Sequence, residues 1–265
     1  MSIPIVEIIG PPGAGKTTLL KGVIEGSTRG STFATANKSM CSKKPRKLFK
    51  RFEGLAFSWA IRNRILERAL LTNDDSMTYS KALGVSSEEW SCFLDFSLGL
   101  IKSQDKPWGL KALALKWWLD AFVDRVKIGT TDRDFIVCLD DEPLNYRLSM
   151  FDGIEEYKIR RYYELAPLPS AVIFLSIGEV EVMNRIKNRA RVAVRHKKLN
   201  ESALQADVIF SANVAKIAKE VISSRGVPVL EVNSGEDLSV NVASVLTFID
   251  QIGFDGSLWR SSHGK

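Results

Sequence analysis

One short stretch constrains the fold of this chain more than any other. Residues 10–17 read Gly-Pro-Pro-Gly-Ala-Gly-Lys-Thr and fit the pattern G-x-x-x-x-G-K-[ST] at every fixed position. The apolar run at residues 5–9 predicts a buried strand before it. Leucine, valine and isoleucine at helical spacing in residues 18–24 predict a helix after it. A strand, a glycine-rich loop and a helix in this order predict a phosphate-binding loop on a parallel α/β sheet.

Each residue type in this loop has a chemical reason to be there. Glycines let the backbone curl so that successive N–H groups point inward at an anion, and the start of the helix adds further N–H groups and a favourable dipole. Lys16 can reach the terminal phosphates of ATP, and the hydroxyl of Thr17 can ligate Mg²⁺. The residues predicted to bind the nucleotide here are Gly10, Pro11, Pro12, Gly13, Ala14, Gly15, Lys16, Thr17 and Thr18.

Composition narrows the class of protein further. A chain of 265 residues with 45% hydrophobic and 26% charged residues suits one α/β domain with insertions. Its apolar runs are far shorter than a membrane span, and the strand predicted at the N-terminus argues against a secretory signal. Three widely spaced cysteines form neither a metal pattern nor a disulfide framework, which indicates a cytoplasmic location. A net charge of +6 favours anionic partners.

Residues 38–132 are predicted to form a mainly helical insertion on the acceptor side of the domain. Its first part, residues 38–68, contains ten Lys or Arg and two Glu. Such a segment is either a solvated basic helix face or a surface that binds an anionic acceptor, and the pattern leaves both open. If it binds an acceptor, Arg62 and Arg64 are the candidates.

Two helices are predicted later in the insertion. One begins near residue 88 after the cap candidates Ser86 and Ser87. The other runs from about residue 110 to 126. Four side chains at helical spacing are predicted to form its buried stripe: Leu113, Trp117, Ala121 and Phe122.

The next predicted strand, residues 135–139, runs directly into three acidic residues, Asp140, Asp141 and Glu142. Carboxylates at the C-terminal end of a parallel strand lie at the ligand edge of an open α/β sheet. There they can hold Mg²⁺ or accept a proton from an attacking hydroxyl. The metal candidates are Thr17, Asp140 and Asp141, and the catalytic candidates include Lys16, Asp141 and Glu142. The sequence leaves open which aspartate faces the metal, because a one-residue change of register reverses the answer.

A basic segment follows the strand predicted at residues 171–177. From Arg185 to Lys198 there are seven Lys or Arg, and residues 182–200 contain no acid. Arginine binds phosphate with a planar fork of donors, so the segment is either a lid that closes over a transferring phosphoryl group or a solvated helix end. The lid candidates are Arg185 and Arg191 for the nucleotide, with Arg189 and Arg195 for catalysis.

The chain is predicted to end with a helix at 202–224, a strand at 227–232, a helix at 238–252 and a loosely held tail at 253–265. The predicted fold is a three-layer α/β sandwich with a parallel sheet of about five strands. A single P-loop domain would span residues 1–265. Its nucleotide-binding core would comprise residues 1–37 and 133–252.

The order of these motifs resembles the nucleoside and nucleotide kinase group of P-loop proteins, thymidylate-kinase-like members in particular. The resemblance covers residues 1–25 and 133–252. It implies an arginine lid after the strand at 171–177 and an adenine-side loop that contains Asn233 and Ser234. Thymidylate kinases have Asp-Arg-Tyr at the end of the middle strand and deoxynucleoside kinases Glu-Arg-Ser. This chain has residues 141–143, Asp-Glu-Pro, which are similar to an Asp-Glu-type motif of small kinases.

The resemblance implies an ATP- and Mg²⁺-dependent kinase that acts on a small-molecule acceptor of the nucleotide, nucleoside or sugar type. The acceptor-side candidates are Arg62, Arg64 and Arg147. Two alternatives stay open: a nucleic-acid-end kinase that uses the basic segment 38–68, and a non-enzymatic nucleotide-dependent switch or assembly module. Nucleic acid is thus a possible partner, and the sequence leaves the oligomeric state open.

Overall fold

The computed structural model describes residues 4–27, 33–35, 83–130, 137–140, 143, 148, 153–188 and 199–252. The basic segment 38–68, the residues 141–142 and 189–198, and the tail 253–265 lie outside these ranges. Within them the elements, in chain order, are β1 (Ile5–Ile9), α1 (Lys16–Gly26), β2 (Phe33–Thr35), α2 (Ser87–Ser103), α3 (Trp108–Thr130), β3 (Val137–Asp140), α4 (Glu156–Leu165), β4 (Ala171–Ser176), α5 (Glu179–Lys187), α6 (Glu201–Ser224), β5 (Val229–Asn233) and α7 (Leu238–Gln251).

The five strands form one sheet in the order β2-β3-β1-β4-β5, and all four pairings are parallel. This confirms the predicted fold class. β1 lies at the centre, with β3 and β2 on one side and β4 and β5 on the other. In an open α/β sheet, ligands bind at the carboxyl ends of the strands where the strand order changes direction. The loop after β1 lies at that position.

The strands follow the hydrophobic pattern of the sequence. All five residues of β1 are buried, and the first five of the six residues of β4 are also buried. Apolar residues make up most of both strands, as expected where helices cover both faces of a sheet. The strands predicted at residues 5–9, 135–139, 171–177 and 227–232 are confirmed as β1, β3, β4 and β5.

Helices cover the sheet on both faces. On one face, Val6 and Ile8 of β1 share a core with Leu19 of α1 and Val245 of α7. On the other face, sheet residues such as Phe174 share a core with residues of α2, α3, α4 and α6. α5 packs on α6 through a small separate cluster: Val182, Ile186, Leu204 and Val208. The three-layer arrangement leaves the carboxyl ends of the strands accessible beside α1 and α5.

The two helices predicted in the insertion are present. α2 begins after Ser86, whose hydroxyl accepts from the N–H of Glu89 at 3.1 Å while the Glu89 carboxylate accepts from the N–H of Ser86 at 2.7 Å. The predicted stripe of α3 is correct for Ala121 and Phe122, whereas Leu113 and Trp117 are only half-buried. Trp118, not Trp117, is the fully buried tryptophan, and its indole N–H donates to the Tyr162 hydroxyl at 3.1 Å. The core helices lie on the side of α3 that Trp118, Ala121 and Phe122 share, which turns Trp117 partly to solvent.

The sequence patterns missed one helix. α4 was not predicted, although Ile159, Tyr162 and Tyr163 form a buried stripe at helical spacing. After β4, α5 begins at Glu179 and ends at Lys187, and Asn188 is its C-cap. Residues 189–198 lie outside the described part of the chain.

Candidate functional site

The predicted phosphate-binding loop connects β1 to α1 in a conformation that requires glycine. Gly13 and Gly15 each have a φ of 90°, which residues with a Cβ rarely adopt. Gly10 is needed for space, because a Cβ there would lie 2.8 Å from the carbonyl oxygen of Leu175. The backbone N–H of Ala14 donates to the carbonyl of Pro11 at 3.1 Å and closes the turn.

The start of α1 is arranged to favour an anion. Gly15 is the N-cap, its carbonyl accepts from the N–H of Leu19 at 2.9 Å, and no acidic residue lies in the first turn. The first N–H groups of a helix have no intrahelical acceptor, and the helix dipole is positive at this end. The residues present therefore fit a bound phosphate group.

Lys16 lies over the loop itself. Its ammonium group donates to the carbonyl oxygen of Gly10 at 2.8 Å and to that of Pro11 at 3.2 Å. Its side chain is half-buried, whereas those of Thr17 and Thr18 are exposed. A positive charge thus lies at the loop, next to the exposed hydroxyl that was predicted to ligate Mg²⁺.

Two residues predicted from distant parts of the sequence meet at this loop. Arg185 of α5 donates to the hydroxyl of Ser234 at 2.8 Å and to the carbonyl of Ser234 at 3.0 Å. Arg185 also forms an ion pair with Glu181. The Ser234 hydroxyl donates in turn to the carbonyl of Ala14. A Cβ added at Gly15 would lie 3.7 Å from the Nη1 of Arg185, so the arginine is adjacent to the loop.

Asn233 lies at the end of β5, and its polar groups stabilise the turn after it. Its side-chain oxygen accepts from the N–H of Gly235 at 3.0 Å, and its carbonyl accepts from the side chain of buried Asn241 at 2.9 Å. Asn233 itself is exposed. These contacts place Asn233 beside Ser234 at the carboxyl edge of the sheet, while its predicted contact with the nucleotide stays a prediction.

The register of β3 gives the position of Asp140. Its Cα pairs with Glu7 of β1, three residues before Gly10. At about 3.3 Å per residue, Asp140 lies roughly 10 Å along the strand direction from the level of Gly10. Asp140 is 5% exposed. Asp140 is the last residue of β3, and its role as a magnesium ligand stays a prediction.

A buried ion pair next to Asp140 was missed by the sequence reasoning. The Glu7 carboxylate accepts from the Nη1 of Arg125 at 3.2 Å, with side-chain exposures of 1% and 5%. The Nη2 of Arg125 donates to the carbonyl of Leu168 at 2.7 Å. The available signal was a single acid inside an otherwise apolar strand, because a buried charge requires a partner. The sequence offered no means of identifying Arg125 as that partner.

Several predicted site residues lie outside the described part of the chain. They are Arg62, Arg64, Asp141, Glu142, Arg147, Arg189, Arg191 and Arg195. Among the described residues, no group of three or more His, Cys, Asp or Glu could hold a metal ion. Among the helices of the same residues, none is long and apolar enough to cross a membrane.

The structure defines the fold class: a three-layer α/β sandwich with a parallel sheet and a glycine-rich loop after its central strand. No protein-family model matches the sequence, and no curated protein matches it. Among solved structures the chain is similar to deoxyadenosine kinase from M. mycoides with bound dATP, with a TM-score of 0.45 and 11% identity over 93% of this chain and 99% of that chain. The structure of the same enzyme with bound dCTP gives a TM-score of 0.40 and 13% identity, and it covers 93% of this chain and 99% of that chain. Similarity at this level leaves the activity to be argued from the residues themselves.

Proposed function

We propose that this protein is an ATP- and Mg²⁺-dependent kinase that transfers the γ-phosphoryl group of ATP to a small-molecule acceptor of the nucleotide, nucleoside or sugar type. The observation that carries the proposal is that Lys16 and Arg185 both lie at the glycine-rich loop that follows the central strand. Two cations beside a glycine turn and a helix N-terminus form a site for a polyphosphate.

The bonds that Lys16 makes to the loop indicate how it would serve the reaction. Neutral carbonyls of Gly10 and Pro11 are among its acceptors. Phosphate oxygens are charged, and hydrogen bonds between charged partners are about twice as strong as those with a neutral acceptor. Lys16 would therefore exchange these carbonyls for the terminal phosphates when ATP binds.

The metal would be held mainly by the nucleotide and by a few protein oxygens. Mg²⁺ in such sites keeps several waters and uses one or two carboxylates together with substrate phosphates. Thr17 would supply a hydroxyl. The carboxylate would come from Asp140, the last residue of β3, or from Asp141, which follows it. Glu142 would orient or deprotonate the hydroxyl of the acceptor.

Catalysis would rest on positioning and charge. ATP supplies the phosphoryl group, and Mg²⁺ neutralises part of its charge. Lys16 and Arg185 would hold the phosphates with the reacting atoms aligned. The remaining lid candidates, Arg189, Arg191 and Arg195, would close over the site and exclude the water that competes with the acceptor.

Acceptor recognition is assigned to the helical insertion. Arg62 and Arg64 of the insertion and Arg147, which follows β3, remain the acceptor-side candidates. Loops and insertions carried by a rigid sheet commonly provide specificity, which supports this assignment.

A panel of acceptors tests the proposal. The purified protein is incubated with γ-labelled ATP and Mg²⁺ and with nucleosides, nucleotides, sugars and oligonucleotides that carry a 5′ hydroxyl, and the products are separated. We expect a labelled small molecule. Labelled oligonucleotides alone would support a nucleic-acid-end kinase instead, and no labelled product from any acceptor would contradict the proposal.

A pair of variants tests the site. Lys16→Ala should lower turnover by at least about a hundredfold, the order seen when one charge-stabilising donor is removed. Lys21→Ala makes the same change on an exposed position of the same helix and should keep wild-type turnover. If Lys16→Ala keeps full activity, the phosphate loop is not the site of transfer.

A further inference from the structure

The contact between Ser234 and Ala14 determines the direction of one backbone donor in the phosphate loop. Ala14 and Gly15 are joined by a trans peptide bond, since the described chain has no cis bonds. In a trans peptide the C=O of one residue and the N–H of the next point in opposite directions. Because the Ala14 carbonyl points at the Ser234 hydroxyl, the N–H of Gly15 points away from Ser234.

The hydroxyl of Ser234 is held in the orientation that this contact needs. Arg185 can only donate, so its bond at 2.8 Å occupies an acceptor site of the Ser234 oxygen and leaves the hydroxyl proton for Ala14. A second bond, from Arg185 to the Ser234 carbonyl at 3.0 Å, fixes the backbone of the same residue. The N–H of Ser234 donates to the Ser176 carbonyl at 2.8 Å and anchors it to the end of β4.

We propose that Ser234 is a positioning residue that orients the Gly15 amide for a bound phosphate, rather than a residue that contacts the adenine. This inference rests on the proposed function and refines the role of one residue in that site. Gly15 has no Cβ, so steric contacts restrict the orientation of its flanking peptides only weakly, and an external hydrogen bond helps to hold one orientation. Ser234 supplies that contact from the far end of the chain, 220 residues away.

Orienting the Gly15 amide and contacting the adenine predict different effects of a Ser234 substitution on the affinities for ATP and for tripolyphosphate. Tripolyphosphate carries the phosphates of ATP without its base or ribose. A residue that orients a phosphate-binding amide affects both ligands equally, whereas a residue that contacts the adenine affects ATP alone. The experiment is isothermal titration calorimetry of the full-length protein with each ligand in the presence of Mg²⁺.

For Ser234→Ala we expect the affinities for ATP and for tripolyphosphate to fall by the same factor, roughly three- to tenfold, the usual range for one hydrogen bond. Ser234→Thr keeps the hydroxyl and should retain most of both affinities. The control is Ser244→Ala. It removes an exposed hydroxyl that also donates to a backbone carbonyl, that of Val240 at 3.0 Å, and should change neither affinity.

Three other outcomes of the calorimetry would contradict either the positioning role of Ser234 or the proposed function. If Ser234→Ala weakens ATP but not tripolyphosphate, Ser234 contacts the nucleoside part and the positioning role is wrong. If Ser234→Ala binds both ligands as the wild type does, or if Ser234→Thr loses as much as Ser234→Ala, the hydroxyl does not orient the loop. If the wild-type protein binds neither ligand, the proposed function fails and this inference fails with it.

Discussion

The buried ion pair between Glu7 and Arg125 makes the strongest prediction about stability. It joins α3 to the central strand, and the second arm of Arg125 reaches the carbonyl of Leu168 in the connection before β4. Both side chains are almost fully buried. The perturbation is Arg125→Met, which keeps a long apolar side chain and removes the charge and all the donors.

The expected loss of stability follows from the two groups that lose Arg125 as a partner, the Glu7 carboxylate and the Leu168 carbonyl. Removing one partner of a buried pair typically costs about 3–5 kcal/mol, because the Glu7 carboxylate would stay buried without the charge of Arg125. The carbonyl of Leu168 also loses a charged donor, which adds about 1–3 kcal/mol if no water replaces it. We therefore expect Arg125→Met to lower the free energy of unfolding by about 4 kcal/mol or more, a large share of the roughly 5–15 kcal/mol that a domain has.

The double variant Glu7→Leu with Arg125→Met distinguishes the effect of a buried unpaired charge on stability from the effect of a changed side-chain shape. It removes both charges and fills the space with apolar side chains. Replacing a whole buried pair in this way is often neutral or stabilising. We expect the double variant to recover most of the loss, even though it carries one more substitution than Arg125→Met.

The assay is urea unfolding followed by circular dichroism, with the midpoint and slope fitted for each variant. The control is Arg160→Met, which removes the same group from ion pairs with Glu156 and Glu220 on the surface. Water screens exposed pairs, so this loss should be much smaller. The reasoning is refuted if Arg125→Met is no more harmful than Arg160→Met, or if the double variant is less stable than Arg125→Met.

Two further predictions concern single positions in helices. Hydrogen bonds from the backbone N–H and hydroxyl of Ser86 lower the pKa of Glu89, so its contribution to stability should be present above the ordinary glutamate range and lost as pH falls through its lowered pKa. The difference in Tm between wild type and Glu89→Gln should accordingly be present at pH 7 and shrink below about pH 4, and a difference independent of pH would contradict the assignment. A Cβ at Gly22 of α1 would lie 2.7 Å from a methyl group of Val242. Gly22→Ala should therefore destabilise the protein in urea unfolding by about 1–3 kcal/mol, but become stabilising in a Val242→Ala background, where the higher helix propensity of alanine is no longer opposed by a clash.

Local patterns in the sequence were enough to predict most of the framework. The Gly-Lys-Thr motif predicted the loop, the apolar runs predicted the parallel strands, and the serine before Glu89 predicted the start of α2. These features depend on residues within a few positions of one another, through strand and helix periodicity, backbone freedom and capping. Neighbours in sequence therefore determine them before the chain is folded.

The contacts that complete the site could only be decided by the tertiary structure. Ser234 reaches Ala14 across 220 residues, and Arg125 reaches Glu7 across 118. No local pattern identifies such partners, because they depend on the order of the strands and on where each helix packs. The same holds for Asp140: the sequence predicted a carboxylate near the end of a strand, and only the register with β1 shows that Asp140 lies level with Glu7. A shift of one residue would have exchanged its face and its neighbours, and that shift is decided by packing across the whole sheet.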